Sequence, residues 1–335
     1  MPPAVKPFKH LVPGWYAVVM GLAGLALAWH RATPLMGEAA VAVAWAFGGL
    51  AAVVFAVLAV ATALRARHHP EAWADDRRHP VRHTFIATLP ISMILLATVA
   101  VALTGPSAAA RWLWGTGALA QLFVTVWLMA RWFRGNGAGG LQWASVTPAL
   151  FVPIVGNVLV PLAGVPLGQL AWSVAQFGVG LMFWPVVMVL IVVRIAVQGG
   201  WPERLLPTAF IFIAPPTVVG LSALQLGAAP LVCWALWGMA VFSLAWVGTL
   251  GQRIAALPFG LTHWGMSFPL AALAAFTLRL AGPEYGAPAL AVLGPALLAL
   301  ATLVVLALLL GTVRGLRDGS LLAPEPVAMI TAVSA

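Results

Sequence analysis

Residues 258–279 read PFGLTHWGMSFPLAALAAFTLR. These 22 residues hold no charge before Arg279, which suits a helix crossing a hydrocarbon core about 30 Å thick. Near the middle stands Ser267-Phe268-Pro269, a bulky ring placed against a helix breaker. Apolar runs of similar length recur on both sides, in a chain that is 62% hydrophobic and only 7% charged. The pattern predicts an all-α integral membrane protein in one membrane domain, residues 1–335. Ten spans can be laid down, at about 12–29, 39–63, 84–104, 111–130, 147–165, 169–193, 205–226, 231–250, 258–279 and 288–313.

Charge placement tests that count. With the N-terminus in the cytoplasm, fourteen of the seventeen cations fall in cytoplasmic segments. They are Lys6, Lys9, Arg65, Arg67, Arg77, Arg78, Arg82, Arg131, Arg134, Arg194, Arg204, Arg253, Arg314 and Arg317, leaving only Arg31, Arg111 and Arg279 outside. One span more or fewer would invert every later loop and scatter this segregation. The expectation is therefore ten helices in a cell membrane, both termini cytoplasmic. Ala26-Leu27-Ala28 also reads as a small-residue cleavage site after a basic start, but cleavage would leave nine spans against the charge pattern. The net charge of +9 is explained by topology and calls for no nucleic-acid partner; it can draw anionic lipid or solute to the inner face.

The spans fall into two classes. Odd spans contain Pro90, Pro153, Pro215 with Pro216, and Pro269, whereas the second, fourth and eighth have no interior proline; Pro185 and Pro295 in the sixth and tenth spoil a perfect rule. A proline frees a carbonyl that lipid cannot satisfy, so kinked helices belong inside the bundle. Five tandem helical hairpins then give an inner ring of odd helices and an outer ring of even ones, with the four odd-span prolines Pro90, Pro153, Pro215 and Pro269 as candidate kinks or hinges. A threonine precedes the proline by six positions at Thr84 and Thr147 and by seven at Thr208 and Thr262, a weak repeat.

Faces of the odd helices supply the lining candidates. Gly14, Ala17, Gly21, Gly24 and Ala28 share a stripe in the first span, and Thr84, Thr88 and Ser92 form a hydroxyl stripe in the third. Such stripes serve close helix packing or self-bonding hydroxyls as readily as a narrow conduit. In the ninth span Phe268, Ala272, Ala275 and Arg279 share one face, from an aromatic ring past small residues to a cation at the outer mouth.

Enzyme and cofactor chemistry finds no foothold. The eight acids fall in loops or tails, HExxH and nucleophile-elbow motifs are absent, and only His30 and His263 approach spans, both near ends, which excludes paired axial haem ligands. The tract 65–83 holds four of the seven histidines but is broken by Pro70 and Pro80, and reads as a solvated loop rather than a metal site. Cys233 is alone and reads as a small buried hydrophobe. Asn157, a polar group in mid-membrane, suits either solute contact or helix-to-helix bonding.

His79-Pro80-Val81-Arg82 leading to Leu89-Pro90-Ile91, the run Thr147 to Asn157, and Trp264 through Ser267-Phe268-Pro269 together resemble the tellurite-resistance/dicarboxylate transporter family, which includes bacterial permeases and plant slow-type anion channels. The resemblance covers nearly the whole chain. It implies five hairpins in quasi-fivefold array, odd helices lining a pore in each subunit, a homotrimer, and a phenylalanine in the ninth helix that occludes the conduit, a role falling on Phe268. It further implies a multi-pass protein of the bacterial inner membrane, no cofactor, and conduction of small inorganic or organic anions, or alternatively coupled export of dicarboxylate, sulfite or tellurite-related oxyanions.

Overall fold

A computed structural model of the chain describes residues 7–134, 140–285 and 287–323. Lys6 and Glu325 lie outside the described residues. The described elements are helical: α1 (Tyr16–Arg31), α2 (Thr33–His68), α3 (Pro70–Arg78), α4 (Thr88–Thr104), α5 (Ala108–Trp132), α6 (Phe151–Val155), α7 (Val160–Gly164), α8 (Leu170–Gln198), α9 (Ala214–Gln225), α10 (Pro230–Gly248), α11 (Gly251–Ala255), α12 (Ser267–Leu280) and α13 (Leu290–Arg317), with short 3-10 segments between them.

Eight helical stretches are long and apolar enough to cross a membrane: Thr33–His68, Arg82–Thr104, Ala108–Trp132, Leu170–Gln198, Glu203–Gln225, Pro230–Gly248, Leu261–Leu280 and Leu290–Arg317. The first and fifth expected spans are present as shorter stretches, α1 and the apolar segment Pro148–Gly164. Burial divides the eight into two groups. Odd-numbered stretches bury 61 to 89% of their most apolar window, even-numbered ones 22 to 39%. The even helices carry the exposed apolar residues, among them Val57, Phe123, Met182, Phe242 and Leu303, as a surface facing hydrocarbon would.

The inner stretches close on themselves. α1 packs on α4, α4 on α7, α7 on α9, α9 on α12, and α12 back on α1.

The prolines differ from the expected mid-helix kinks. Pro90, Pro153 and Pro269 are each the third residue of α4, α6 and α12, and Pro215 with Pro216 the second and third of α9. Before each α-segment runs a 3-10 segment: Arg82–Ala87, Pro148–Leu150, Glu203–Ile213 and Leu261–Met266, with Pro13–Trp15 before α1. Proline therefore marks the change from 3-10 to α geometry, in the first turn where a missing N–H costs least. Threonine and serine hydroxyls cover carbonyls of the tighter segments: Thr84 donates to Val81 O at 2.7 Å, Thr208 to Leu205 O at 2.6 Å and Ser267 to Trp264 O at 2.7 Å. The repeated threonine-to-proline spacing coincides with these segments. Uninterrupted helices containing proline, α8 with Pro185 and α13 with Pro295, lie in the outer layer.

The third inner stretch is the most broken, since α6 gives way to a 3-10 turn at Gly156–Leu159 before α7. Its carbonyls are met by side chains of its neighbours. Gln121 and Thr125 of α5 donate to Pro153 O at 2.7 and 2.6 Å, and Trp114 donates to Val160 O at 2.9 Å. Asn157 donates to Thr125 Oγ1 at 2.8 Å and accepts from Gln176 Nε2 of α8 at 2.9 Å. Asn157 is wholly buried and serves helix-to-helix bonding. A hydrocarbon interior leaves no other way to keep such a backbone.

At the end of the bundle where the described chain begins and finishes, Pro7–His10 touches Ser320–Leu322. The tract 65–83 is not the solvated loop expected from sequence. It folds as α3, with Asp76 wholly buried and clasped by Arg65 Nη1 at 2.6 Å and Arg82 Nη1 at 3.3 Å. Arg65 also donates to Lys9 O and Ala72 O, so the pair has the extra hydrogen bonds that buried charge requires. Asp76 thus departs from the reading that every acid sits in an open loop or tail.

Candidate functional site: a narrowing cavity at the centre of the inner ring

Three cavities run inward from the basic end and share lining residues at each junction. The outermost, about 590 Å³, is lined by Lys9, His10, Arg65, Arg82 and Asp75 together with Val12, Leu261 and the Ser320–Leu321 turn. Burial together with the nearby charges of Lys9, Arg65 and Arg82 lowers the pKa of His10 from its usual value, so its ring is neutral at pH 7.

Val12, Arg82 and Leu261 also line the second cavity, a vestibule of about 130 Å³. Here the charged lining is Arg82 and Arg204, with His79, Thr208 and Thr262 beside them. Both backbone N–H groups of Val81 and Arg82 donate to His79 Nδ1 at 3.1 Å. An accepting Nδ1 leaves the ring hydrogen on Nε2 and the imidazole neutral. The hydroxyls of Thr208 and Thr262 donate to backbone carbonyls of Leu205 and Arg204.

Ala17, Phe85 and Gly265 carry the path into the third cavity, about 60 Å³, enough for a few water molecules. Its lining draws on every inner stretch: Met20 of α1, Phe85 and Ile91, Phe151 and Gly156, Ile211 and Val218, and Trp264 with Phe268. No charged side chain reaches it. On α12 the lining stops at Phe268 and Pro269, and on α1 at Met20. Phe268 is 7% exposed, its ring lying against α1 where a β-carbon on Gly24 would come 2.9 Å from Cδ2.

The sequence candidates separate accordingly. Ala17, Thr88, Phe268 and Pro269 line the central cavity, and Gly14 lines the vestibule. Thr84 and Ser92 are buried with their hydroxyls bonded to Val81 O and Thr88 O, and Gly21 lies against Ser267, where it permits α1 and α12 to meet. Ala272 and Ala275 are buried beyond the ring without lining a cavity, and Arg279 is exposed near the far end of α12. Pro90, Pro153 and Pro215 sit at the helix starts behind the lining. Sequence reasoning passed over Phe85, Phe151, Met20 and Ile91, because one large apolar residue among many carries no mark of which way it faces. It counted Arg82 and Arg204 only as topology; their place just before the first apolar turn of an inner span was the available signal.

Among known proteins, this chain is 25% identical over 272 residues to the tellurite resistance protein TehA homolog of Haemophilus influenzae, covering 80% of both chains. It is 25% identical over 240 residues to the S-type anion channel SLAH2 of Arabidopsis thaliana, covering 71% of this chain but 46% of the longer plant protein. An uncharacterized transporter of Methanocaldococcus jannaschii is 22% identical over 80% of this chain and 82% of its own. Residues 10–313 match the SLAC1 family, described as voltage-dependent anion channel, so the chain belongs to that family.

Proposed function

We propose that the protein is an anion channel in which each subunit conducts small anions along the axis of the inner ring, with Phe268 as the gate. The observation that carries this reading is the cavity that gathers lining from all five inner stretches, loses its charged groups as it narrows, and ends against the Phe268 ring. A dry phenyl ring blocks an ion that must shed water to pass. Weak, dispersed stabilisation in the apolar section lets an admitted ion leave again, as conduction requires.

In this reading the ten helices cross the membrane as five hairpins in quasi-fivefold array. Three such subunits assemble as a homotrimer in the bacterial inner membrane, and the basic end with both termini faces the cytoplasm. The 3-10 segments ending at Pro90, Pro153, Pro215 and Pro269 are the places where the inner backbone can yield. Ala272, Ala275 and Arg279 line the outer half once the ring moves aside. Selectivity favours anions that are cheaper to dehydrate.

Reconstitution into liposomes tests the reading. The expected result is anion flux whose reversal potential follows the anion gradient alone, with no accompanying proton movement. Proton-coupled flux would instead identify a carrier of dicarboxylate, sulfite or tellurite-related oxyanions.

A further inference from the structure

We propose that the vestibule between Arg82 and Arg204 is a binding site for one partly hydrated small anion, the last station before the apolar constriction. The inference deepens the channel reading and rests on it for its role in transport. Three observations carry the site itself.

The first is charge. Asp76 serves both Arg65 and Arg82, so these three groups leave one positive charge over, and Arg204 adds a second. Glu203, beside Arg204 in sequence, turns instead to Arg253 at 3.3 Å, and Arg204 makes no ion pair among the described residues. No carboxylate lines this cavity.

The second is an unmet donor. Arg204 Nε is buried and has no hydrogen-bond partner among the described residues, although its neighbouring carbonyl is already taken by Thr262. A buried guanidinium N–H without an acceptor is costly, and an anion in the vestibule would supply one. The threonine hydroxyls give their hydrogens to the backbone, so the ligand is held by guanidinium groups and the His79 Nε2–H, not by a hydroxyl cradle.

The third is size. At about 130 Å³ the vestibule accepts a small anion with some of its water, whereas the next cavity, at about 60 Å³, does not. Arg82 is fixed by Asp76, so half of the site is positioned before the ion arrives.

Bromide-soaked crystals and chloride flux in liposomes test the site by separate readouts. Wild-type crystals are expected to show bromide anomalous density between Arg82 and Arg204, lost in Arg204→Gln. Flux should saturate with chloride on the basic side. Arg204→Gln should raise the half-saturating concentration about fivefold, the effect of about 1 kcal/mol from one unit charge at contact distance. Arg204→Lys, which keeps the charge, should restore most of it, showing that the loss is electrostatic and not a folding defect. Absence of bromide from the wild-type vestibule, or an unchanged half-saturation in Arg204→Gln, overturns the site. Bromide bound in a protein that passes no anion keeps the site and overturns the channel.

Discussion

The Phe268 ring and Gly24 are fitted to one another: a β-carbon on Gly24 would stand 2.9 Å from Phe268 Cδ2 and 3.5 Å from Cε2. The ring owes its position across the end of the central cavity to a residue on another helix that has no side chain. Removing the ring should therefore open the path without disturbing α1. Phe268→Ala is expected to raise anion flux about tenfold or more, which needs only about 1.4 kcal/mol off the barrier. Unchanged flux from a variant that elutes as the wild type does would discard Phe268 as the gate.

Gly24→Ala should act on the same ring from the other side. The added methyl cannot share space with Cδ2, so the ring must leave its seat, and flux should rise above wild type. In Phe268→Ala the methyl has nothing to displace. The double variant should then match Phe268→Ala alone, a non-additivity that liposome flux on the four proteins would measure.

The network around Asn157 makes a stability prediction. Asn157→Ala leaves Gln176 Nε2 and Thr125 without partners inside the bundle. A loss of about 1–3 kcal/mol is expected, read as a lower melting temperature in detergent. Gln176→Ala should cost a similar amount, and the two losses should not add, because both act on one chain of bonds.

At the basic end, Asp76→Ala strands Arg65, which is 3% exposed, with an uncompensated charge. The expected cost is about 3–5 kcal/mol. Asp76→Ala combined with Arg65→Met should recover much of it, and thermal unfolding of the three proteins would decide the matter.

Acid should weaken the same region through His10. Its folded pKa lies below its usual value of 6.5, held down by burial and by Lys9, Arg65, Arg82 and His69. An unfolded chain accepts a proton there that the fold resists, so stability is lost as pH falls below about 6.5 and levels off only below the folded pKa. His10→Gln should flatten that part of the melting curve between about pH 7 and pH 5.

Much of this architecture was legible in sequence because the bilayer simplifies the reading. Length, hydropathy and the bias of arginine to one end predicted the number and order of helical stretches, since nothing but a helix satisfies its own backbone in lipid. Proline separated inner from outer stretches correctly, but for a reason other than the one expected. Pro269 and its counterparts stand at a change of helix type, which depends on how Ser267 and Thr208 bond backward and is invisible in residue identity alone. Phe268 could be singled out only by resemblance. Its partner Gly24 lay on a stripe of small residues that looked like a lining and proved to be a seat. The Asp76 clasp escaped notice because sequence gives no measure of burial for a carboxylate between arginines.

The 3-10 segments also explain how short inner stretches can reach as far as long outer ones. A 3-10 residue advances about 2.0 Å and an α residue about 1.5 Å. Pro148–Gly164 contains seven residues of the first kind and ten of the second, for a reach of about 29 Å where an unbroken α-helix would cover about 25 Å. Pro13–Trp15 followed by α1 comes to about 30 Å by the same sum. Both equal the hydrocarbon thickness of a bilayer. Stretching the backbone at these segments thus spares the inner layer several residues per crossing, and every residue spared is one less side chain to crowd the axis.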